Sequence, residues 1–80
     1  MLEDLKKRSK TVGVKQTMRA VESGSAKTVF IAKDADAKVV SNLKELCKNK
    51  SVTVVYAESM KQLGKACGIE VGASAAALIE

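Results

Sequence analysis

The run TVFIA at Thr28–Ala32 limits the possible folds of this chain more than any other segment. It is rich in branched residues and almost continuously apolar, which indicates a strand covered on both faces rather than a strand with one solvated face. Helices must then lie on both sides of one sheet. Because the chain has only 80 residues, we expect a single domain over residues 1–80, too small to enclose a large cavity.

The segments around this run predict two helices and a second strand. Before it, residues 15–23 place their apolar positions on one helical face, and Gly24 would end that helix. After it, Asp36 is a suitable N-cap, and apolar residues recur at helical spacing as far as Asn49. The run VTVVY at residues 52–56 then has the composition of a strand.

The last third of the chain contains a capping box and a short loop. Ser59, followed at the third position by Gln62, predicts a helix that begins one residue after the cap, and Gly68 supplies the left-handed conformation that often ends a helix. The segment ASAAALI at residues 73–79 has a composition that favours helix. Since a strand of small side chains would let covering helices approach the sheet, we interpret it as a strand.

These elements predict an α/β fold, a three-layer α/β/α sandwich. Residues 11–12 add a short strand, which would make the sheet small and four-stranded. Residues 1–10 carry Leu2 and Leu5 followed by basic side chains, and they fit either a short helix or a basic arm.

The composition argues against most enzymes. The chain has no His, and its two cysteines, Cys47 and Cys67, are too far apart in sequence to suggest a four-ligand zinc site. Asp34 and Asp36 are better explained as turn and cap residues than as a catalytic pair. We therefore expect no catalytic residue, no cofactor and no metal.

The sequence also predicts where the protein acts. It shows no targeting segment, no closely spaced cysteine pair and no apolar run of the roughly 20 residues that a membrane span needs. These features indicate a reduced, cytoplasmic location and no membrane partner.

The charge suggests an anionic partner. Fourteen Lys and Arg residues against nine Asp and Glu residues give a net charge of +5. Single-stranded nucleic acids are usually held by stacking on aromatic side chains, and this chain has one Phe and one Tyr. A structured RNA is therefore the better candidate.

Four residues near the start of the first helix form a candidate RNA-binding group: Gly13, Lys15, Gln16 and Arg19. Gly13 permits close approach of another backbone, and the three side chains project from the first turns, where free N–H groups also favour phosphate. Long basic and amide side chains can also hydrogen-bond guanine edges. The alternative is an ordinary solvated helix face.

A second candidate group is the loop Ile69, Glu70 and Val71 between Gly68 and Gly72. It places two branched apolar residues where a surface connection normally carries polar ones. Either these side chains fold back into the core or they form an exposed binding surface.

Three motifs give the chain a family resemblance: GVKQTMRAVESGSAKTVFIAKDAD, LCKNKSVTVVY and ESMKQLGKACGIEVG. With these motifs the chain resembles the ribosomal protein L7Ae and L30e superfamily of kink-turn RNA binders. It looks most like the small bacterial YbxF-like members, which are described as ribosome-associated. The resemblance implies an α/β/α sandwich with a small mixed sheet and supports the strand interpretation of ASAAALI.

The resemblance also implies a function. Family members grip a kinked RNA whose tandem sheared G·A pairs expose guanine edges, and they read it with the pattern G-x-N-E-x-x-K. In this chain Lys15 occupies the position of the Asn, Gln16 that of the Glu and Arg19 that of the Lys. The family loop that corresponds to residues 69–71 packs against a nucleotide flipped out of the bulge. The implied RNA-binding residues are Gly13, Lys15, Gln16, Arg19, Lys33, Lys65, Ile69, Glu70 and Val71.

The implied partner is a structured RNA that contains a kink-turn, in rRNA or in an mRNA leader, with the ribosome as a further partner. The protein would act as a monomer and would not be an enzyme. The alternative, drawn from superfamily members that mainly contact proteins, is a protein-interaction module of the same fold.

Overall fold

A computed structural model describes residues 5–79. The elements follow the chain in the order β1 (Lys10–Val12), α1 (Val14–Glu22), β2 (Thr28–Ala32), α2 (Ala37–Asn49), β3 (Thr53–Ala57), α3 (Met60–Ala66) and β4 (Ala75–Leu78). The sheet has the strand order β1-β4-β2-β3, with β3 parallel to β2 and β4 antiparallel to both of its neighbours. The mixed four-stranded sheet is therefore confirmed.

The sheet lies between two helical layers, as predicted. Side chains of β2 alternate between the two faces: Val29 and Ile31 pack with Leu43 of α2, whereas Phe30 packs with Leu63 of α3. One apolar cluster also includes buried residues of α1, so α1 and α2 share a face and α3 covers the other. Burial on both sides explains why β2 is apolar at nearly every position.

The strand β4 contains the alanines of ASAAALI. Ala75, Ala76 and Ala77 are fully buried between β1 and β2. The strand prediction is confirmed, because pairing on both edges and burial on both faces outweigh the helix preference of isolated alanine.

The predicted element ends are correct to within one or two residues. The first helix begins and ends one residue earlier than predicted, and β3 is shifted one residue later. The Asp36 side chain accepts a hydrogen bond from the Lys38 amide at 2.9 Å, which confirms its role as the cap of α2. Gly68 follows α3 with φ +85°, as expected for a glycine that ends a helix.

The prediction for residues 1–10, a short helix or a basic arm, falls partly outside the described residues. Residues 1–4, including Leu2, lie outside the described residues. Leu5 lies in a short 3₁₀ turn and is fully buried in the cluster beneath α3, and β1 starts at Lys10. Leu5 thus attaches this segment to the core.

The topology gathers several loops at one edge of the sheet. Because β4 runs opposite to the other strands, the carboxyl ends of β1, β2 and β3 lie beside the amino end of β4. Hydrogen bonds join the loops there, from the amide of Gly13 to the carbonyl of Ala75 at 2.8 Å and from the amide of Ala32 to the carbonyl of Ser74 at 3.0 Å. We refer to this side, where α1 and α3 begin, as the carboxyl edge.

None of the helices formed by residues 5–79 combines the length and the apolar character that crossing a bilayer requires.

Candidate functional site

The helix α1 begins at the carboxyl edge directly after Gly13. This residue has φ +102°, a conformation that residues with a side chain rarely adopt, and the space where a Cβ would lie is open. Its carbonyl accepts a hydrogen bond from the Thr17 amide at 3.0 Å, and its amide is bonded to β4. Gly13 is therefore required by the abrupt change from strand to helix and leaves the approach to α1 unobstructed.

The predicted binding side chains of α1 face solvent. Lys15, Gln16 and Arg19 are exposed, while Thr17 is fully buried on the opposite face. The Thr17 hydroxyl forms a 2.9 Å hydrogen bond with the hydroxyl of Thr11 on β1. This contact fixes the rotation of α1 about its axis, so that its basic and amide side chains point away from the sheet. No carboxylate among residues 5–79 forms an ion pair with Lys15 or Arg19.

The loop after α3 forms an open cavity of about 350 Å³. It is lined by Lys61, Lys65, Ile69, Glu70, Val71 and Gly72. Two ammonium groups from successive turns of α3 thus stand beside an apolar loop. Such a cavity offers apolar surface for a ring and positive charge for a phosphate.

The two apolar side chains of the loop differ in exposure. Val71 is 70% exposed, whereas Ile69 is half-buried against the cluster beneath α3. Both sequence alternatives therefore hold, one for each residue: Ile69 anchors the loop and Val71 presents apolar surface to solvent.

Backbone hydrogen bonds hold the loop along α3. The amide of Ile69 donates to the carbonyl of Gly64 at 3.1 Å, and the amide of Ala73 donates to the carbonyl of Met60 at 3.0 Å. The loop therefore runs back from the end of α3 to its beginning. This return brings Gly72 to the carboxyl edge, three residues before the β4 carbonyl that binds Gly13.

Lys33 lies at the same edge, in the loop after β2. Its ammonium group is 2.9 Å from a carboxylate oxygen of Glu58, and both side chains are mostly exposed. The positive charge of Lys33, one of the implied RNA-binding residues, is therefore partly offset by Glu58.

The start of α1 and the end of the loop meet at the carboxyl edge through β4, because Gly13 is bonded to Ala75, three residues after Gly72. Residues 69–71 lie along α3, and Lys61 and Lys65 line the cavity beside them. The cavity itself is lined by α3 and the loop, without residues of α1.

Asp34, interpreted from the sequence as a turn or cap residue, accepts a hydrogen bond from the amide of Met60 at 2.7 Å and so helps to cap α3. Another feature of the site was not predicted from the sequence. Gly64 and Gly72 both lie where α3 and the loop approach closely. The eight-residue spacing of these glycines is consistent with this close contact. The spacing indicates such a contact only when the loop is already known to return along α3.

The two cysteines lie in the core. Both cysteines are free and buried, and burial raises the pKa of each thiol, with Lys10 acting in the opposite direction at Cys67. Within residues 5–79, no three His, Cys, Asp or Glu side chains are grouped so that they could hold a metal ion.

The sequence model of the ribosomal protein L7Ae/L30e/S12e/Gadd45 family matches residues 2–80. This chain belongs to that family. An RNA-binding protein of Caldanaerobacter subterraneus subsp. tengcongensis is 48% identical over 68 residues, which are 85% of this chain and 83% of the relative. The RNA-binding protein YbxF of Geobacillus stearothermophilus is 43% identical over the same length and the same shares of the two chains.

A solved structure resembles this one closely. The 15.5kD RNA binding protein of Giardia lamblia superposes with a TM-score of 0.85 at 32% sequence identity. The match covers 90% of this chain and 61% of the Giardia protein, so this chain spans about three fifths of that longer protein.

Proposed function

We propose that this protein binds RNA without catalysing a reaction, and that it recognises a kink-turn through the carboxyl edge of its sheet. The observation that carries the proposal is that Lys15 and Arg19 are exposed and form no ion pair with a carboxylate of residues 5–79, while the loop that presents Val71 ends at the edge where α1 begins. Relatives that share nearly half of the aligned residues are named RNA-binding proteins, which supports the same role here.

The start of α1 would read the tandem sheared G·A pairs. Gln16 and Arg19 lie on the exposed face of α1, one turn apart, and both can hydrogen-bond the N7 and O6 edge of guanine. Lys15 would neutralise a backbone phosphate beside them, assisted by the free amides of the first helical turn. Lys33 would attract the RNA more weakly, because its ion pair with Glu58 partly neutralises its charge.

The loop would receive the unpaired nucleotide of the adjacent bulge. Val71 offers exposed apolar surface on which a base can pack, and Ile69 supports it from the core side. Lys61 and Lys65 line the same cavity and would contact the phosphates that flank this base. Glu70, also in the lining, would disfavour phosphate next to it and so orient the nucleotide.

Binding would stabilise the bent RNA by differential affinity. A kink-turn exchanges between bent and extended forms, and a protein that contacts both the G·A pairs and the bulge favours the form in which they lie close together. The protein would do this as a monomer in the cytoplasm, on rRNA or an mRNA leader, with the ribosome as one setting.

The test is a titration of two RNAs that differ only at the G·A pairs. One is a kink-turn, and the other has both G·A pairs converted to Watson–Crick pairs. We expect the kink-turn to bind tightly, with an affinity that falls as salt rises, and the converted duplex to bind more weakly by about tenfold or more. Equal affinity for both RNAs would overturn the proposal and leave general attraction between charges.

One observation favours a second function, that of a protein-interaction module. The exposed Val71 could equally cover an apolar site on another protein. In that case neither RNA would bind with an affinity above that of an unrelated duplex, and Val71→Ala would leave RNA binding unchanged.

A further inference from the structure

The middle of α3 contains a glycine, and the loop occupies the space that a side chain at this position would need. Gly64 is buried, and a Cβ atom built on it would overlap the carbonyl oxygen of Val71. The same atom would lie 3.0 Å from the carbonyl carbon of Val71 and 3.1 Å from the Cα of Gly72. Because glycine weakens a helix interior relative to alanine, helix formation does not explain this residue.

A second glycine extends this close contact toward the start of α3. A Cβ on Gly72 would lie 3.2 Å from the Cβ of Met60, which is tighter than most contacts of a Cβ atom. On either side of the contact, backbone hydrogen bonds join Ile69 to Gly64 and Ala73 to Met60. At Gly64 the helix and the loop therefore pack backbone against backbone.

We infer that Gly64 is a positioning residue for the RNA-binding loop. With its carbonyl held against Gly64, Val71 directs its side chain to solvent beside Lys61 and Lys65. A side chain at position 64 would push the loop off α3 and change the direction in which Val71 points. The effect on the loop is a property of the protein alone, whereas the effect on RNA rests on the proposed function.

The first arm of the test uses the free protein. In Gly64→Ala, hydrogen exchange at the amides of Ile69 and Ala73 should become at least about tenfold faster, because their bonds to α3 lengthen when the loop is displaced. The amides of α1 and β2 should keep their relative protection. If Ile69 and Ala73 exchange as in the wild type, or if all amides accelerate equally, the inference is wrong.

The second arm measures RNA binding with a control of matched stability. We expect Gly64→Ala to bind a kink-turn about tenfold more weakly, and to lose much less on the same RNA with an abasic bulged nucleotide. Val40→Ala creates a cavity on the opposite face of the sheet and should lower stability without changing either affinity. Equal losses on the two RNAs, or an equal loss in Val40→Ala, would overturn the role of Gly64 in recognition.

A milder variant covers the case in which Gly64→Ala fails to fold. Gly72 does not have a positive φ, so Gly72→Ala meets only the tight contact with Met60 and should produce smaller changes of the same kind. The two arms also separate the two proposals. Failure of the wild type to distinguish a kink-turn from its converted duplex would reject the proposed function, while the exchange rates would still decide whether Gly64 positions the loop.

Discussion

A carboxylate oxygen of Asp34 accepts a hydrogen bond from the backbone amide of Met60 at 2.7 Å, across 26 positions of the chain. The contact ties the loop after β2 to the first turn of α3. The backbone amide of the preceding residue, Lys33, donates to the carbonyl of Ala57 at 2.9 Å. The Lys33 ammonium group forms an ion pair with Glu58. The helix that carries the loop is therefore fixed to the carboxyl edge by polar contacts as well as by its buried face.

The first prediction concerns this contact. Asp34→Ala should lower the free energy of unfolding by about 1 kcal/mol, because it removes an acceptor from the amino end of α3. Urea denaturation measures the loss. Glu58→Ala is the control, since its exposed ion pair with Lys33 should contribute at most a few tenths of a kcal/mol. If both variants lose the same stability, the Asp34 hydrogen bond is not the cause.

The second prediction concerns the exposed face of α1. Gln16→Ala and Arg19→Ala should each weaken kink-turn binding by about 1 to 3 kcal/mol, if each side chain reads a guanine edge. Stability should change by less than about 0.5 kcal/mol, because both side chains are exposed. Filter binding or calorimetry gives the affinities.

A charge-matched control separates guanine recognition from general attraction. Lys27→Ala removes one positive charge from the exposed position before β2, at the edge opposite the start of α1. It should weaken binding less than Arg19→Ala does. Equal losses in both variants, or a loss of the same size on an unkinked duplex, would argue against a reading role for Arg19.

The third prediction concerns the two apolar residues of the loop. Val71→Ala should reduce kink-turn affinity but hardly change stability, because Val71 is 70% exposed. Ile69→Ala should lower the free energy of unfolding by about 1 to 2 kcal/mol, because Ile69 packs on the core. Val39→Ala, at an exposed position of α2, should change neither quantity. A stability loss in Val71→Ala as large as in Ile69→Ala would contradict this division of roles.

The fourth prediction is a pH dependence that arises from the two buried thiols. Burial raises the pKa of Cys47 and Cys67, so the folded protein keeps these protons at a pH where the unfolded chain releases them. Their stabilising effect is complete below the ordinary thiol pKa of 9.0 and is lost as the pH rises beyond it. Each thiol can lower the free energy of unfolding by at most about 1.4 kcal/mol per pH unit there.

Urea denaturation between pH 7 and about pH 10 measures this effect. A variant with Cys47→Ala and Cys67→Ala should show a shallower fall above pH 9 than the wild type, although both share the titration of Lys and Tyr. Identical slopes would show that the thiols do not contribute.

Much of the fold could be predicted because its signals are local. The apolar run of β2 is explained by burial on both faces, and the caps at Asp36 and Ser59 act on amides two or three residues away. The exposed face of α1 followed from helical spacing alone. The tail that forms β4 was harder, because alanine by itself favours helix, and the strand interpretation depended on the sheet around it.

The amino-acid sequence by itself determined the order of the elements, the main helix caps and the family, since each depends on residues that are close together in the chain or on a continuous motif. Only the tertiary structure decided that Ile69 turns inward while Val71 turns outward, that Glu58 shares the charge of Lys33, and that the loop lies against Gly64. These outcomes depend on how α3 and its returning loop pack against the edge of the sheet, and a contact of that kind leaves no periodic pattern in the residues that make it.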